Sequence, residues 1–175
     1  MLSIRKLYKI GYGPSSSHTM GPSNATRYIL DKYKDANYFE VTLFGSLALT
    51  GKGHLTDQII EKEFNGINNK IIFDYKTSKN HPNTMEFKIY KDEKLIDTKE
   101  IISIGGGLIS IDGEEVDEGR DVYPHKNFDE IKKYCKDNNL SLVDYIVKFE
   151  GEDIYDYIDN IYNVMNDLIE SLWNI

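Results

Sequence analysis

Residues 13–22 read Gly-Pro-Ser-Ser-Ser-His-Thr-Met-Gly-Pro, and the rest of the chain can be interpreted outward from this stretch. Serine and threonine hydroxyls compete with backbone hydrogen bonds, and glycine and proline interrupt regular structure, so this composition predicts an ordered loop. Directly after it, Pro22 suits a first helical position, and Ala25, Ile29 and Tyr33 recur at helical spacing. We therefore expect the loop to lead into a helix over residues 22–34.

The position of this loop allows two interpretations. Its hydroxyls and the imidazole of His18 would lie at a helix N-terminus, where free N–H groups and the helix dipole favour a carboxylate or a phosphate. The alternative is a capped turn in which the serines only satisfy the backbone, because caps rich in serine and threonine are common. The residues alone leave both interpretations open.

The composition limits the class of protein. The chain has 175 residues, of which 40% are hydrophobic and 29% charged, so we expect a soluble protein with a substantial core. The formal net charge is −8 and no basic patch is segregated, which argues against a nucleic-acid partner. No apolar run could span a membrane, and residues 1–10 lack a signal-peptide core, so we expect a cytoplasmic protein without membrane contact.

The pattern of apolar residues predicts an α/β (α+β) fold with a mixed, partly antiparallel sheet and flanking helices. The predicted helices cover residues 2–10, 22–34 and 56–65, and Thr56 is the predicted N-cap of the third. Segments of β-forming or alternating residues predict strands at 39–44, 70–75, 85–89, 95–104 and 108–111, with a turn at Asp92-Glu93. We assign residues 1–122 to this domain.

A linker over residues 119–126 is expected to precede a C-terminal helical segment, residues 127–175. Asn127 with Glu130, and Ser141 with Asp144, have the spacing of capping boxes and predict two helix starts. A third helix opens at Asp153 and carries apolar residues at spacings of four and three, namely Ile154, Ile158, Ile161, Met165, Leu168 and Leu172. Such a stripe is usually core, but an exposed one would need a partner.

Two glycine-rich stretches do not have the pattern of nucleotide sites. In residues 45–53 the first glycine is one residue too far from Gly51-Lys52 for a phosphate-binding loop, and Gly53 replaces the magnesium-binding hydroxyl. Residues 105–107 follow a strand but lack the third spaced glycine of a dinucleotide site. For them we predict a bulge or a close backbone approach.

Two histidines, His18 and His54, occupy similar polar loops bounded by glycine. Each has a hydroxyl residue next to it or nearly so, and histidine is the usual general base near neutral pH. A single surface histidine is usually incidental, and His81 and His125 are interpreted as structural or incidental. The repeated arrangement makes His18 and His54 the candidates for acid–base chemistry.

Four segments then resemble a known family. They are residues 13–22; Phe-Gly-Ser-Leu-Ala-Leu-Thr-Gly-Lys-Gly-His (44–54) followed by Thr56-Asp57; His-Pro-Asn-Thr-Met (81–85); and Ser-Ile-Gly-Gly-Gly (103–107). In this order they resemble the β domain of iron–sulfur L-serine dehydratases. Residues 128–142 resemble the segment that leads into the catalytic α domain of the single-chain enzymes.

The resemblance implies an L-serine ammonia-lyase, which converts L-serine to pyruvate and ammonia by β-elimination through 2-aminoacrylate. It also implies a [4Fe-4S] cluster that acts as Lewis acid, because hydroxide is a poor leaving group while a base takes the Cα proton. The implied partners are L-serine, a catalytic α domain on the same chain or a separate subunit, and further copies in a homo-oligomer. The implied fold is similar to the allosteric substrate-binding domain of phosphoglycerate dehydrogenases.

The resemblance also assigns roles to residues. His54 is the expected base, and His18 is the expected orienting or proton-handling partner. The substrate-binding residues it implies carry hydroxyl, ammonium or amide groups: Ser15, Ser16, Ser17, Thr19, Lys52 and Asn83. Asp57 is a weaker candidate for a supporting contact.

The sequence departs from the family in its cysteines. The cluster ligands belong to the α domain, and Cys135 does not match one, so we expect no metal site and no cofactor in this chain. The chain would then be a truncated form or one subunit of a split enzyme, inactive alone, and the resemblance of its tail to the single-chain enzymes favours truncation. Two alternatives remain: a non-catalytic regulatory module that binds serine or another small carboxylate, and an interaction domain that docks through its last helix.

Overall fold

The computed structural model describes residues 1–11, 13, 15–115 and 121–173, with the backbone alone at 114–115 and 172–173. The chain divides into two compact units. One is Gly11–Asp117, and the other combines Met1–Ile10 with Glu118–Ile175. The division at residue 122 that the sequence suggested stays a prediction. That division placed residues 1–10 in the first domain, whereas in the structure these residues group with the C-terminal helices.

The unit Gly11–Asp117 contains a mixed sheet, as the sequence predicted. Among the described residues the sheet has six strands in the order β2-β1-β3-β4-β5-β6. Strands β1 and β2 are parallel, and every other neighbouring pair is antiparallel. The strands are β1 (Tyr38–Phe44), β2 (Asn69–Asp74), β3 (Thr84–Lys91), β4 (Lys94–Gly105), β5 (Leu108–Ile111) and β6 (Glu114–Glu115).

The core of this unit follows from the alternating pattern of its central strands. Phe39, Val41 and Leu43 of β1 are fully buried and pair with Ile89, Phe87 and Met85 of β3, which are also fully buried. The helices of this unit are α1 (Met20–Lys32), α2 (Gly45–Thr50) and α3 (Thr56–Phe64). Their apolar residues, Ala25, Ile29, Leu47, Ile60 and Phe64, belong to the same core cluster.

The antiparallel hairpins depend on backbone with positive φ. Asp92 and Glu93 form the predicted turn between β3 and β4, with φ of 49° and 64°. Residues 105–107 all have positive φ and connect β4 to β5, with an irregular register between Ser103 and Gly105. The three glycines therefore serve a tight hairpin and not a nucleotide site.

The structure contradicts three local predictions. Residues 2–10 contain only a short 3₁₀ turn, Ile4–Lys6, and residues 45–53 form α2 and a second 3₁₀ turn, Gly51–His54, instead of an irregular loop. Thr56 is not the N-cap of α3, because Leu55 occupies that position with a φ of 61°. The three glycines of residues 45–53 predict an interruption of regular structure. In fact Gly45 starts α2 with a φ of +53°, where a Cβ would lie 2.6 Å from the Pro82 carbonyl oxygen.

The second unit is helical, as predicted, with α4 (Phe128–Asp137), α5 (Leu142–Glu150) and α6 (Ile154–Trp173). The Asn127 side chain accepts from the Glu130 N–H, and Ser141 and Asp144 form a complete capping box. Tyr123, Ile131, Cys135 and Tyr145 form its core, whereas the stripe on α6 is mostly exposed: Ile158 is 46%, Met165 46% and Leu168 62% exposed. None of the described helices combines the length and the apolar composition that a membrane crossing requires.

Candidate active site

The serine-rich loop folds back on the start of α1. The Ser15 carbonyl accepts hydrogen bonds from the His18 N–H at 3.0 Å and from the Thr19 hydroxyl at 2.9 Å. The Gly21 N–H donates to the Ser16 carbonyl, and the Ser23 N–H donates to the Thr19 carbonyl. The N–H groups of Gly21 and Ser23 are thus occupied, and Pro22 has no N–H. These three positions therefore offer no free N–H donor to an anion, contrary to the first interpretation of the loop.

His18 lies at the centre of the site and is only 7% exposed. Its Nδ1 lies 3.0 Å from the Ser15 hydroxyl and 3.2 Å from the Ser17 hydroxyl. Its Nε2 lies 3.1 Å from the Ser46 hydroxyl and 3.0 Å from the Thr50 hydroxyl, both on α2. Both ring nitrogens thus have hydroxyl partners, one pair on each side of the ring.

The surroundings of His18 favour its neutral form. Burial lowers the pKa of His18 below its ordinary value, a hydrogen bond to the Ser46 backbone opposes this shift, and the neighbouring His54 lowers the pKa further. A neutral imidazole has one N–H donor and one lone pair, and can therefore take up or pass on a proton near neutral pH.

His54 comes to the same place from the 3₁₀ turn that follows α2. The ring centroids of His18 and His54 are 4.7 Å apart, with 49° between the ring planes. The Nδ1 atom of His54 is buried and has no hydrogen-bond partner among the described residues. The start of α3 attaches to the first loop as well, since the Thr56 hydroxyl donates to the His18 carbonyl at 2.7 Å. The two histidine loops, whose proximity the sequence could not establish, therefore meet.

The other candidates lie in different surroundings. Thr19 is buried, and its hydroxyl bonds to the backbone, whereas Lys52 is exposed with its Nζ 5.2 Å from the centroid of the Phe73 ring. The Asn83 N–H donates to His81 Nδ1, and its side-chain amide lies 3.5 Å from the Ser103 carbonyl. Asp57 accepts from the N–H of the next residue, Gln58. The substrate-binding roles assigned to the serines, Thr19, Lys52 and Asn83 stay predictions.

Sequence reasoning missed Ser46 and Thr50. It took residues 45–53 as irregular and, apart from Lys52, assigned no role to their side chains. Interpreted as a helix, the stretch Gly-Ser-Leu-Ala-Leu-Thr (45–50) places residues 46 and 50 four positions apart, on one face. Two hydroxyl residues four positions apart, shortly before the candidate His54, were the signal in the sequence that could have identified Ser46 and Thr50.

A close backbone approach fixes the first loop relative to the sheet. A Cβ at Gly21 would lie 2.0 Å from the Ser103 hydroxyl oxygen, and Ser103 of β4 is fully buried. The Ser103 hydroxyl is buried without a hydrogen-bond partner among the described residues. A residue without a side chain is therefore needed at position 21, in the first turn of α1.

The described part of the chain does not fit a metal cluster. Nowhere in it do three or more His, Cys, Asp or Glu side chains come together as a metal site. Iron–sulfur clusters are held mainly by several cysteine thiolates, and the whole sequence contains one cysteine. That residue, Cys135, is buried in the helical unit, where its Sγ lies 3.8 Å from the Ser141 carbonyl.

Comparison with known proteins agrees with the resemblance of the four segments. The model of the family described as "Serine dehydratase beta chain" matches residues 3–66 and 58–114. Relatives include L-serine dehydratase of Haemophilus influenzae and L-serine dehydratase 2 of Escherichia coli, each 28% identical over 97% of this chain and 49% of the relative. L-serine dehydratase of Helicobacter pylori is 27% identical over 82% of this chain and 42% of its own length. The chain thus spans about half the length of the curated relatives it matches, and it belongs to the serine dehydratase beta chain family.

Proposed function

We propose that this chain is the β-domain part of an L-serine ammonia-lyase and contributes histidine and hydroxyl groups to the active site. The observation that carries the proposal is the pairing of His18 and His54, with ring centroids 4.7 Å apart, beside the hydroxyls of Ser15 and Ser17. The names of the relatives support L-serine as the substrate.

In this proposal His54 is the base that removes the Cα proton of L-serine. His18 already has hydroxyl partners on both ring nitrogens, whereas His54 has a nitrogen without a partner among the described residues. As the proton leaves, the Cα–H electron pair forms the double bond of 2-aminoacrylate and hydroxide departs from Cβ. Hydrolysis of that product gives pyruvate and ammonia.

His18 is proposed to orient the site and to handle protons. The hydroxyls of Ser15 and Ser17 face its ring and are proposed to bind the substrate carboxylate or amine. Ser16, Thr19, Lys52 and Asn83 remain proposed supporting contacts. Of these, Thr19 would act through the shape of the loop, since its hydroxyl is bonded to the Ser15 carbonyl.

The departing hydroxide needs an electrophile, and no group of described residues forms a metal site that could supply one. A single cysteine cannot ligate a [4Fe-4S] cluster, so we propose that the cluster lies on a catalytic α domain outside these residues, on the same polypeptide or on a separate subunit. The match to this chain spans only 49% of the length of these relatives, which supports such a partner. A homo-oligomeric assembly and a cytoplasmic location belong to the same proposal.

A reconstitution experiment tests this function. The chain is combined anaerobically with the half of the Haemophilus influenzae relative that it does not match, and pyruvate formation from L-serine is followed. We expect activity from the combination, none from this chain alone, and a loss of about 10²-fold or more in His54→Ala, as is typical for removal of a general base. Gln58→Ala, an exposed position on α3, is the matched control and should keep full activity.

Three outcomes would contradict the proposal. Unchanged activity of the His54→Ala combination would remove the base assignment. Pyruvate formation by this chain alone would show that the chemistry needs no second domain. Tight L-serine binding by this chain alone, retained in His54→Ala, would favour the regulatory binding module.

A further inference from the structure

The Thr50 hydroxyl lies between a ring nitrogen of His18 and a backbone carbonyl. It is 3.0 Å from His18 Nε2, and it donates to the Ser46 carbonyl at 2.9 Å. The second bond is a common one, in which a threonine on a helix bonds the carbonyl four residues earlier. Thr50 is at the end of α2, so the helix itself holds this hydroxyl in place.

This arrangement bears on which ring nitrogen of His18 carries the proton. A hydroxyl has one hydrogen, and when Thr50 gives it to the Ser46 carbonyl, Thr50 presents only lone pairs to His18 Nε2. The Ser46 hydroxyl, 3.1 Å from the same nitrogen, can either donate or accept. An Nε2 lone pair would then oppose the Thr50 lone pairs at 3.0 Å, whereas an Nε2–H group would donate to them.

We propose that Thr50 is a positioning residue that fixes His18 in its Nε2–H tautomer, with Ser46 as the residue that orients the Thr50 hydroxyl. The Nδ1 lone pair of His18 then faces the first loop and accepts a hydrogen bond from the Ser15 or the Ser17 hydroxyl. The serine that donates to Nδ1 can then use its own lone pairs to accept from the other serine hydroxyl, since the two oxygens are 3.3 Å apart, or from an ammonium or hydroxyl group of a ligand. This role rests on the proposed function, because the tautomer of His18 decides which serine hydroxyl of the proposed lyase site can accept a hydrogen bond from the substrate.

Histidine ¹⁵N chemical shifts of the full chain test the proposal, since they separate the two neutral tautomers and the imidazolium. We expect His18 of the wild-type chain to show a protonated Nε2 and an unprotonated Nδ1 above its pKa. Thr50→Val keeps the branched shape and removes the acceptor, and should lower the ratio of Nε2–H to Nδ1–H about three- to tenfold, as expected for one neutral hydrogen bond. Thr50→Ser restores the hydroxyl and should restore the ratio.

Thr98→Val on the exposed surface of β4 is the matched control and should leave the His18 shifts unchanged. A wild-type His18 in the Nδ1–H form would overturn the proposal, and so would an unchanged ratio in Thr50→Val. The spectra need no catalysis. A reconstituted protein without lyase activity would therefore reject the proposed function alone, and a wrong tautomer would reject the role of Thr50 alone.

Discussion

At the scale of single residues, His18 links protonation of the candidate site to the stability of the fold. Burial lowers its pKa below the ordinary value of 6.5, which an unfolded chain retains. Just below this pH the unfolded chain therefore binds more protons than the folded chain. The free energy of unfolding should fall as the pH drops below the ordinary pKa, and this contribution should level off below the lowered pKa.

Urea unfolding between about pH 7.5 and pH 5.5 measures this effect, since most carboxyl groups titrate below that window. We expect the wild-type chain to lose stability over this range. His18→Gln, which cannot be protonated, should lose less. An equal pH dependence in both proteins would mean that His18 has an ordinary pKa in the folded state.

At the scale of elements, the first turn of α1 packs directly on β4. The closest point is Gly21 against Ser103, where an added Cβ would meet the Ser103 hydroxyl at 2.0 Å and the Ser103 Cβ at 2.7 Å. Ser103 is fully buried and in mid-sheet, so it cannot turn away without moving the strand. The position of the serine-rich loop thus depends on a small residue at the helix start.

Gly21→Ala should destabilise the chain by about 1–3 kcal/mol in urea unfolding, the usual cost of overpacking. Ser103→Gly removes both clashing atoms and should recover part of that loss in the double variant. Gly53→Ala is the control, because a Cβ there meets nothing within 4 Å. Equal stabilities of Gly21→Ala and Gly53→Ala would show that the loop can move away from β4.

At the scale of the whole molecule, the two ends of the chain are joined in the helical unit. Glu150 of α5, whose side chain is 2% exposed, accepts hydrogen bonds from the Ser3 hydroxyl, the Ile4 N–H and the Tyr123 hydroxyl. Its Oε2 also lies 3.5 Å from Arg5 Nε. Burial alone would raise the pKa of Glu150, but these hydrogen bonds and Arg5 outweigh it and lower the pKa. One buried carboxylate therefore holds Ser3, Ile4 and Arg5 against α5.

Glu150→Gln should cost about 2–3 kcal/mol, because the amide loses the charge and one of the two acceptor oxygens. Urea unfolding gives the loss, and hydrogen exchange at the Ile4 amide, which bonds to Glu150, should accelerate with it. Glu152→Gln, an exposed neighbour, is the control. Unchanged protection of Ile4 would mean that other contacts hold the N-terminal residues.

Most helices and strands could be predicted from the sequence because apolar alternation, turn residues and helix caps depend on residues close together in the chain. The alternation of apolar residues in β1 and β3, the Asp92-Glu93 turn and the Ser141 cap all depend on neighbours within a few positions. The prediction failed at α2, where the Ser46 N–H in the first turn donates to the Pro82 carbonyl of a distant segment at 2.7 Å. It failed at Thr56 for a similar reason, since that hydroxyl bonds to the His18 carbonyl and not to its own helix.

The sequence by itself determined the mixed fold, the family and the two candidate histidines. Apolar periodicity and family motifs depend only on which residues follow one another along the chain. Only the tertiary structure brought His18 within 4.7 Å of His54 and placed Ser46 and Thr50 on the far side of the His18 ring. Hydrogen-bond direction and burial depend on distances between segments 28 and 32 residues apart. Such distances follow from packing of the core, which no local pattern specifies.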